Sequence, residues 1–217
     1  MWGERSKIYD LTLTLTSDTP VFPGQPPLSY VPWSNLEIHG NATNAFFMVE
    51  HTGTHLDAPA HFIEGGKTVE EIPVERFWGK ALVLDVSFYL GRGELRFSDF
   101  EDILGKDDIK EGDIVLFYSG IDRLLKKPEY FTQGVYLTES IAQFLIDKKV
   151  KGVGTDSPSI DSQPFAVHRL LLTQEIIIYE SLINLKELRG KRITFAGLPL
   201  KLKGCTGSPI RAVAICD

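Results

Sequence analysis

Residues 51–62 read HTGTHLDAPAHF, and they include three of the five histidines in the 217-residue chain. The stretch offers four possible metal ligands: His51, His55, Asp57 and His61. Even numbers of residues separate all four, so a fully extended strand presents them on one face. In such a strand His51 and His55 lie about 13 Å apart, which is too far for both to bind one ion at a Zn–N distance of about 2.0–2.1 Å. Either the chain bends within this stretch or these histidines share no metal.

The residues between the two histidines favour a bend. In a helix, His51 and His55 would meet at i and i+4, as in the zinc-binding H-E-x-x-H motif. Gly53, the threonines that flank it and Pro59 disfavour a helix. Gly53 instead indicates a bulge or tight bend that brings the imidazoles together, with Asp57 on the same side as His55. A single histidine most often only satisfies a local hydrogen bond, but three within eleven residues favour a metal-binding strand that runs into a loop.

Composition and charge restrict the classes of function. With 43% hydrophobic residues, the chain has enough apolar side chains for one globular domain, predicted over residues 1–217. A formal net charge of −6 argues against a nucleic-acid partner, because phosphate binding needs a basic face. The sequence has no apolar run of 18 residues and no apolar leader segment, so we expect no membrane association and a cytoplasmic location. Cys205 and Cys216 form no C-x-x-C motif and are interpreted as structural.

Apolar and alternating runs predict a strand-rich fold. We expect strands over 8–15, 44–50, 80–87, 113–120, 150–156, 175–180 and 210–217. Helical spacing predicts helices over 98–104, 138–149 and 181–189. Thr138 is the expected N-cap of the second helix. The order of elements indicates a mixed α/β (α+β) class without the regular β-α-β alternation of a doubly wound sheet.

The remaining histidines differ in their surroundings. His39 has no carboxylate or histidine at ligand spacing, so it is interpreted as a surface turn residue. His168 follows the loop 154–165 and precedes Glu180 by twelve residues. A carboxylate at the end of an apolar strand is often only its first solvated residue, so local evidence leaves the role of Glu180 open. Together with residues 51–57, these donors suit zinc or manganese and suffice for two ions.

A family resemblance rests on four segments. HTGTHLDAPAHF resembles the H-x-G-T-H-x-D-x-P-x-H-F signature of the metal-dependent cyclase-like hydrolases, the family of bacterial kynurenine formamidase (arylformamidase) and isatin hydrolase. Three further segments are similar to that family: YDLTLTLTSDTPVFPG (9–24), GVGTDSPSID (152–161) and PLKLKGCTGSPIRAVAI (199–215). The resemblance therefore extends over nearly the whole chain.

The resemblance implies a swivelling β/β/α cyclase-like fold and a centre with two metal ions, zinc or possibly manganese, per chain. The implied ligands are His51, His55, Asp57, His168 and Glu180. Asp57 is the implied bridge between the ions, and His61 is the implied general acid and base. The implied reaction is hydrolysis of a small aryl formamide or a related amide by a hydroxide that the two ions activate. Phe22 falls where kynurenine formamidases have a tryptophan that contacts the substrate, so an aromatic wall is kept but its identity differs.

Two kinds of alternative function remain open: a hydrolase that acts on another substrate, and a protein of another functional class. The second interpretation is a hydrolase of another small cyclic amide, imide or ester, as isatin hydrolases are. A non-catalytic metal-binding protein is less favoured, because closed structural zinc sites are rich in cysteine. A serine nucleophile is disfavoured, since the sequence has no G-x-S-x-G motif. Four aromatic residues are candidates to line a substrate pocket, although core packing explains them as well: Phe22, Trp33, Phe46 and Phe62.

We also expect a homodimer or homotetramer, chiefly from the resemblance. Apolar residues near the N-terminus, among them Trp2, Phe22 and Trp33, give this expectation some support because one domain's core has difficulty covering them all. The only other expected partner is a small-molecule substrate.

Overall fold

The chain folds around one large mixed sheet. The computed structural model describes residues 7–105 and 109–216. Within them lie twelve strands: β1 (Lys7–Asp10), β2 (Ser29–Ser34), β3 (Thr43–Phe47), β4 (His55–Asp57), β5 (Trp78–Asp85), β6 (Gly93–Glu94), β7 (Ile114–Tyr118), β8 (Val135–Tyr136), β9 (Gly152–Thr155), β10 (Ile177–Glu180), β11 (Arg192–Pro199) and β12 (Gly207–Cys216). The same residues contain four α-helices: α1 (Leu36–His39), α2 (Phe97–Leu104), α3 (Glu139–Asp147) and α4 (Ala166–Thr173).

Strand β4 closes the large sheet into a ring. Eight strands form this sheet in the order β1-β12-β11-β5-β7-β9-β10-β4, and β4 also pairs with β12. Seven strands therefore form a barrel-like ring. Strand β1 is not part of the ring and pairs with β12. Strands β5, β7, β9 and β10 run parallel to their neighbours in this group, and the other pairings are antiparallel. The strand-rich mixed α/β class predicted from the sequence is confirmed.

Two hydrophobic cores lie on opposite faces of the central strands. Successive side chains of a strand point to opposite faces. On β5, Ala81 and Val83 belong to the core inside the ring, whereas Leu82 and Leu84 belong to the core between the sheet and α2, α3 and α4. All five residues of β7, IVLFY, are buried for the same reason. Burial on both faces explains why these strands appear in the sequence as unbroken apolar runs and not as alternating ones.

The predicted strands are found at the expected places but with different bounds. Each of the seven predicted segments contains a strand, yet the strand predicted over 8–15 ends at Asp10 and the one predicted over 44–50 ends at Phe47. Strand β4 lies in 51–62, the stretch interpreted as a strand that runs into a loop, and four further strands were not predicted from the sequence: β2, β6, β8 and β11. Strands β6 and β8 have two residues each, which is too short for a periodic pattern to mark them.

Two of the three predicted helices are present, as α2 and α3. Thr138 occupies the N-cap position of α3, but its hydroxyl makes no capping bond and lies 3.4 Å from the carbonyl oxygen of Leu95. The helix predicted over 181–189 is wrong: only a 3₁₀ turn at Leu185–Leu188 forms there. Ser181 and Asn184 have φ angles of 55° and 61°, in the left-handed region that interrupts a right-handed helix.

Helix α4 was not predicted from the sequence, and it carries His168. It begins after Phe165, which has a φ of 62° and provides no side-chain cap, so the usual signal of a helix start is missing. None of the helices in the described parts of the chain is long and apolar enough to cross a membrane.

Strands β2 and β3 form a two-stranded ribbon separate from the large sheet. Every residue of β3 is exposed, as are all residues of β2 except Ser34. His39 is exposed at the end of α1, between the two strands, and its Nδ1 accepts a hydrogen bond from the backbone N–H of Asn35 at 3.2 Å. The interpretation of His39 as a surface turn residue therefore agrees with its position.

Because β4 has only three residues, its attachment to the inner core depends on Leu56, which is fully buried. We expect Leu56→Ala to lower the free energy of unfolding by about 2–5 kcal/mol, the range for removing a buried leucine side chain. Urea denaturation followed by circular dichroism measures the change. Leu198→Ala is the matched control, since Leu198 is 49% exposed, and it should change stability by about 0.5 kcal/mol or less. An equal loss in both variants would contradict this account of β4.

Candidate metal centre

The chain bends between His51 and His55, as the sequence predicts. Gly53 has a φ of +68°, a left-handed conformation that residues with a side chain rarely adopt. A Cβ atom at this position would also lie 2.5 Å from Cδ2 of Leu15. The positive φ therefore favours glycine at residue 53, and the Leu15 side chain would have to move to admit any other residue. The bend places the His51 and His55 rings with their centroids 5.2 Å apart, much closer than an extended strand allows.

Five predicted ligands gather at the seam where β4 joins β10 and β12. Asp57 pairs in register with Ile178 of β10 on one side and with Gly207 of β12 on the other, while His55 lies opposite Glu180. His168 reaches the same place from α4. Sheet pairing and one helix thus bring together residues that are far apart in the sequence.

These residues form two overlapping groups that share Asp57. In the first group, one ligand atom each from His51, His55 and Asp57 lie within 4.8 Å of one another. In the second group, Asp57, His168 and Glu180 meet the same limit. Asp57, His55, His168 and Glu180 are all buried. Asp57 is therefore the one residue that belongs to both of these groups.

In each histidine of the two ligand groups, the ring nitrogen that points away from the carboxylates makes a hydrogen bond to another part of the protein. The Nδ1–H of His55 donates to the carbonyl oxygen of Gly53 at 2.8 Å. The Nδ1–H of His168 donates to Oδ1 of Asp161 at 2.5 Å. The inner nitrogen Nε2 of each ring faces the carboxylates, at 3.6 Å from Glu180 for His55 and 3.2 Å for His168. Such outer hydrogen bonds fix the tautomer and orientation of metal-binding histidines.

His51 is held by a hydroxyl instead. Its Nε2 lies 3.1 Å from Oγ1 of Thr206, which in turn donates to Glu50. This leaves Nδ1 directed at Asp57, 2.7 Å from Oδ1. The ring also lies against the backbone of Gly207, where an added Cβ atom would be 2.8 Å from Nδ1. The small residue in β12 therefore makes room for this imidazole.

The charges of the groups suit a cation. Burial disfavours the ionised form of Asp57, but the neighbouring imidazoles of His168, His51 and His55 outweigh it and hold the pKa of the carboxyl well below its usual range. Burial likewise opposes protonation of His51, yet hydrogen bonds with Asp57 and Glu50 raise its pKa to about 10. The pKa of His168 is raised as well, because Asp161, Asp57 and Glu180 outweigh its burial. Imidazole binds a metal in its neutral form, so a bound divalent cation would replace these protons.

One oxygen of the shared carboxylate has no hydrogen bond. Oδ2 of Asp57 is buried and accepts none from the described residues, and the nearest ring nitrogen, Nε2 of His168, is 3.5 Å away. A buried carboxylate oxygen without a donor is unfavourable unless something else satisfies it. Together with three imidazoles and Glu180, this oxygen fits divalent metal ions that prefer nitrogen and oxygen ligands.

His61 lies beside the two groups but belongs to neither. It ends the 3₁₀ turn Pro59–His61, and its ring stacks on that of His51 with centroids 3.9 Å apart. Neither of its ring nitrogens has a hydrogen bond to residues 7–105 or 109–216. Burial lowers the pKa of His61 to about 4; the Asp57 carboxylate opposes this shift and the nearby His51 reinforces it. Its imidazole is therefore neutral near pH 7.

A cavity of about 210 Å³ opens onto the centre. Its lining includes four of the five predicted ligands, all except Asp57, together with His61. The aromatic part of the wall consists of Phe22, Phe62 and Phe165, and Gln25 adds a carboxamide. Two of the four aromatic residues expected to line a pocket, Phe22 and Phe62, do line this cavity. The other two lie on the exposed two-stranded ribbon, Trp33 on β2 and Phe46 on β3.

Comparison with known proteins identifies the family. The family model described as "Putative cyclase" matches residues 9–162. The chain belongs to this family.

Two groups of relatives in the cyclase family are similar along the whole chain. The kynurenine formamidases of Bacillus thuringiensis (strain Al Hakam) and Bacillus anthracis are 32% identical over 219 aligned residues, covering 96% of this chain and 97% of theirs. Isatin hydrolase A from Labrenzia aggregata, solved with benzyl benzoate, has a TM-score of 0.88 at 28% identity, covering 97% of this chain and 93% of that one. The family, the cyclase-like fold and the class of metal-dependent hydrolase predicted from the sequence are confirmed.

The residues that hold the cyclase-family ligands in place were not predicted from the sequence. Asp161 lies in the segment GVGTDSPSID, and it also accepts hydrogen bonds from the backbone N–H groups of Val167 and His168 at the start of α4. Recognising α4 would have revealed this role, because an acidic residue shortly before a helix often binds its first N–H groups. Glu50 and Thr206 are 156 residues apart, so no local spacing links them. Cys205 and Cys216 are partly buried and pack against the inner core, as their structural interpretation implies.

Asp161 provides a test of how strongly the surrounding hydrogen bonds support the metal centre. We expect Asp161→Asn to weaken metal affinity about 10- to 100-fold, the usual effect of removing an outer partner of a histidine ligand. Competition with a chelator of known affinity measures the change, and circular dichroism checks that α4 is kept. Asp18→Asn is the control, because Asp18 is exposed on a distant turn. Unchanged affinity in a folded Asp161→Asn protein would show that Asp161 does not orient His168.

Proposed function

We propose that this chain hydrolyses the carbon–nitrogen bond of a small aryl amide, in the manner of a kynurenine formamidase. The observation that carries the proposal is the sharing of Asp57 by two ligand groups beneath a cavity with an aromatic wall. The similarity to kynurenine formamidases and isatin hydrolases supports a hydrolase that acts on C–N bonds other than peptide bonds. A non-catalytic metal-binding protein is less favoured, because the ligands line a cavity open to solvent and not a closed site.

The proposed cofactor is a pair of zinc ions, with manganese as the alternative. Three imidazoles and two carboxylates, without a thiolate, suit such ions. His51 and His55 would hold one ion and His168 and Glu180 the other, with Asp57 between them. When bound, the metal supplies Lewis-acid activation of water and of the substrate carbonyl.

The chain's own residues supply orientation and proton transfer. His61 is neutral, faces the cavity and has no hydrogen bond to the described protein groups, so it can accept a proton from water. It can then return that proton to the departing nitrogen, which leaves poorly unless it is protonated. Phe22 and Phe62 provide faces for an aromatic ring, and the rings of Phe62 and His168 are 4.7 Å apart. An aryl group held there lies next to the metal ligands.

Two classes of substrate have separate support. Sequence identity favours an open-chain aryl formamide such as N-formylkynurenine. The cavity gives specific support to a second candidate, a cyclic aryl amide such as isatin, because no lysine or arginine among the described residues lines it to pair with the carboxylate of an amino-acid substrate. The high structural similarity to isatin hydrolase A points the same way. Assays of the metal-loaded protein with both compounds distinguish the candidates, and turnover of neither would contradict the proposed function.

Variants of two histidines distinguish a ligand from a proton carrier. His61→Ala should keep most of the bound metal but lose roughly 10²- to 10⁴-fold in turnover, the range for removing a general acid or base. His55→Ala should lose metal and activity together, because it removes a ligand. Metal analysis and turnover are measured on the same samples, with His39→Ala as a control that should match the wild-type protein.

Three results would contradict these roles. Loss of metal from His61→Ala comparable to that from His55→Ala would make His61 a ligand. Equal impairment of His61→Ala on an amide and on an ester with a good leaving group would exclude proton donation to the leaving group, since such an ester departs without it. A saturating stoichiometry of one ion per chain in the wild-type protein would contradict the two-metal assignment, for which we expect close to two.

We also propose that the chain forms a homodimer or homotetramer through the ribbon of β2 and β3. Apolar side chains of the ribbon and of α1, which connects its strands, are unusually exposed: Tyr30 46%, Val31 55%, Trp33 78%, Phe46 58% and Phe47 58% on the strands, and Leu36 70% and Ile38 76% on α1. At about 150–250 Å² per aromatic side chain, the four aromatic residues alone expose roughly 500 Å². That is over half of the ~800 Å² per partner in a standard interface. Trp2 lies outside the described residues.

The cytoplasmic location expected from the sequence stays a prediction.

The ribbon is tested by the oligomeric state in solution. We expect light scattering to report a dimer or tetramer at micromolar concentration, and the double variant Trp33→Ser, Phe46→Ser to shift it toward a monomer of 24.3 kDa. Removing two large apolar side chains from the centre of an interface costs several kcal/mol of association free energy. Phe88→Ser is the control, because Phe88 is 49% exposed but outside the ribbon. A wild-type monomer, or an unchanged oligomer in the double variant, would contradict the proposal.

A further inference from the structure

A tight turn presents two side chains to the cavity. The backbone N–H of Gln25 donates to the carbonyl oxygen of Phe22 at 3.0 Å, which closes a four-residue turn. Pro23 occupies the second position and Gly24, with a φ of +94°, the third, as a type II turn requires. The first and fourth residues of the turn, Phe22 and Gln25, both line the cavity. The turn therefore fixes an aromatic ring and a carboxamide next to each other.

The carboxamide oxygen of Gln25 has no partner within the protein. Its Oε1 is buried, yet it accepts no hydrogen bond from the described residues. Buried polar atoms are normally hydrogen-bonded. The nearby hydroxyl of Ser159, which also lines the cavity, is already used in a hydrogen bond of 2.7 Å to the carbonyl oxygen of Asp161. An acceptor without a protein donor, on a residue that lines the cavity, is available to a donor from a bound molecule.

We infer that Gln25 determines specificity by accepting a hydrogen bond from the N–H of a secondary aryl amide whose ring lies against Phe22. This inference rests on the proposed function and names the part of the substrate that is recognised. Both candidate substrates have such an N–H: the aryl formamide and the cyclic aryl amide each join an aromatic ring to N–H and a carbonyl. An ester or an N-methyl amide lacks this donor and leaves the buried oxygen unpaired.

The neutral character of the lining supports an uncharged group as the one recognised. Apart from the metal-ligand histidines and His61, no basic residue among the described ones lines the cavity. Glu180 is the only acidic one there, and its Oε1 already accepts the backbone N–H of Ile160 at 2.8 Å. Gln25 is thus a polar contact for substrate that belongs to neither ligand group. Its effect should fall on which amide is accepted and not on metal binding.

The test compares substrates with and without the N–H. For the metal-loaded wild-type protein, kcat/KM is measured on formanilide and N-methylformanilide, on isatin and N-methylisatin, and on phenyl formate. We expect Gln25→Ala to lower kcat/KM about 3- to 10-fold on the N–H member of each pair that is turned over, the usual effect of one neutral hydrogen bond. On the N-methyl compounds and the ester the change should stay within about twofold. Metal content should equal that of the wild-type protein.

Two further variants separate recognition from a structural effect. Gln25→Glu keeps an acceptor oxygen and should retain the preference for N–H over N-methyl, which a loss of turn structure would not allow. Gln133→Ala changes a glutamine that does not line the cavity and should leave all ratios unchanged. Binding of the lactam oxindole and of N-methyloxindole, measured by calorimetry, gives a readout that does not depend on turnover: the preference for oxindole should disappear in Gln25→Ala.

The outcomes distinguish this inference from the proposed function. If the wild-type protein hydrolyses none of the amides, the proposed function fails. If it hydrolyses them but Gln25→Ala lowers kcat/KM equally on N–H, N-methyl and ester substrates, only the role of Gln25 is overturned. An unchanged preference for oxindole in the Ala variant would overturn it as well.

Discussion

The arrangement of the site depends on one buried negative charge, the carboxylate of Asp57. Asp57 is 1% exposed, and taking a lone carboxylate out of water costs far more than a single domain's net stability. The fold meets this cost by surrounding Asp57 with imidazoles from three different positions: the turn before β4, β4 itself and α4. Each ring is fixed by an outer partner of a different kind, namely a backbone carbonyl, a carboxylate and a hydroxyl. The ring closure by β4 and the placement of α4 both follow from the need to assemble these groups.

The local part of this arrangement could be predicted from the residues themselves, whereas the long-range part was indicated only by the family resemblance. The spacing of histidines in 51–62 and the glycine between them predicted a bend, because a positive φ at Gly53 is a property of the residue itself. Asp57 was recognised as a candidate ligand for the same local reason. Local evidence left the role of Glu180 open, since nothing near it indicated that antiparallel pairing would place it opposite His55. Only the family resemblance implied that it is a ligand.

The wrongly predicted helix and the missed helix have a common cause in backbone geometry. Helix 181–189 was predicted from apolar spacing, but Ser181 and Asn184 adopt left-handed conformations that spacing does not reveal. α4 was missed because it begins at a left-handed Phe165 without a capping side chain. These strained residues adjoin the site: Ser181 follows Glu180 directly, and Phe165 lies three residues before His168. Tertiary contacts impose such conformations near functional residues, and a single sequence carries little trace of them.

The cavity is built from two separate parts of the chain, and this has a consequence for how such a protein can change over generations. The metal-binding side chains belong to the closed ring and α4, where a shift in one strand disturbs its neighbours. The Phe22–Gln25 turn lies outside the ring and is defined by its own proline, glycine and hydrogen bond. Mutations at its first and fourth positions can alter the cavity wall while the turn and the ring keep their geometry. Related proteins can therefore acquire new substrates through substitutions in this short turn alone, while the residues of the metal centre stay the same.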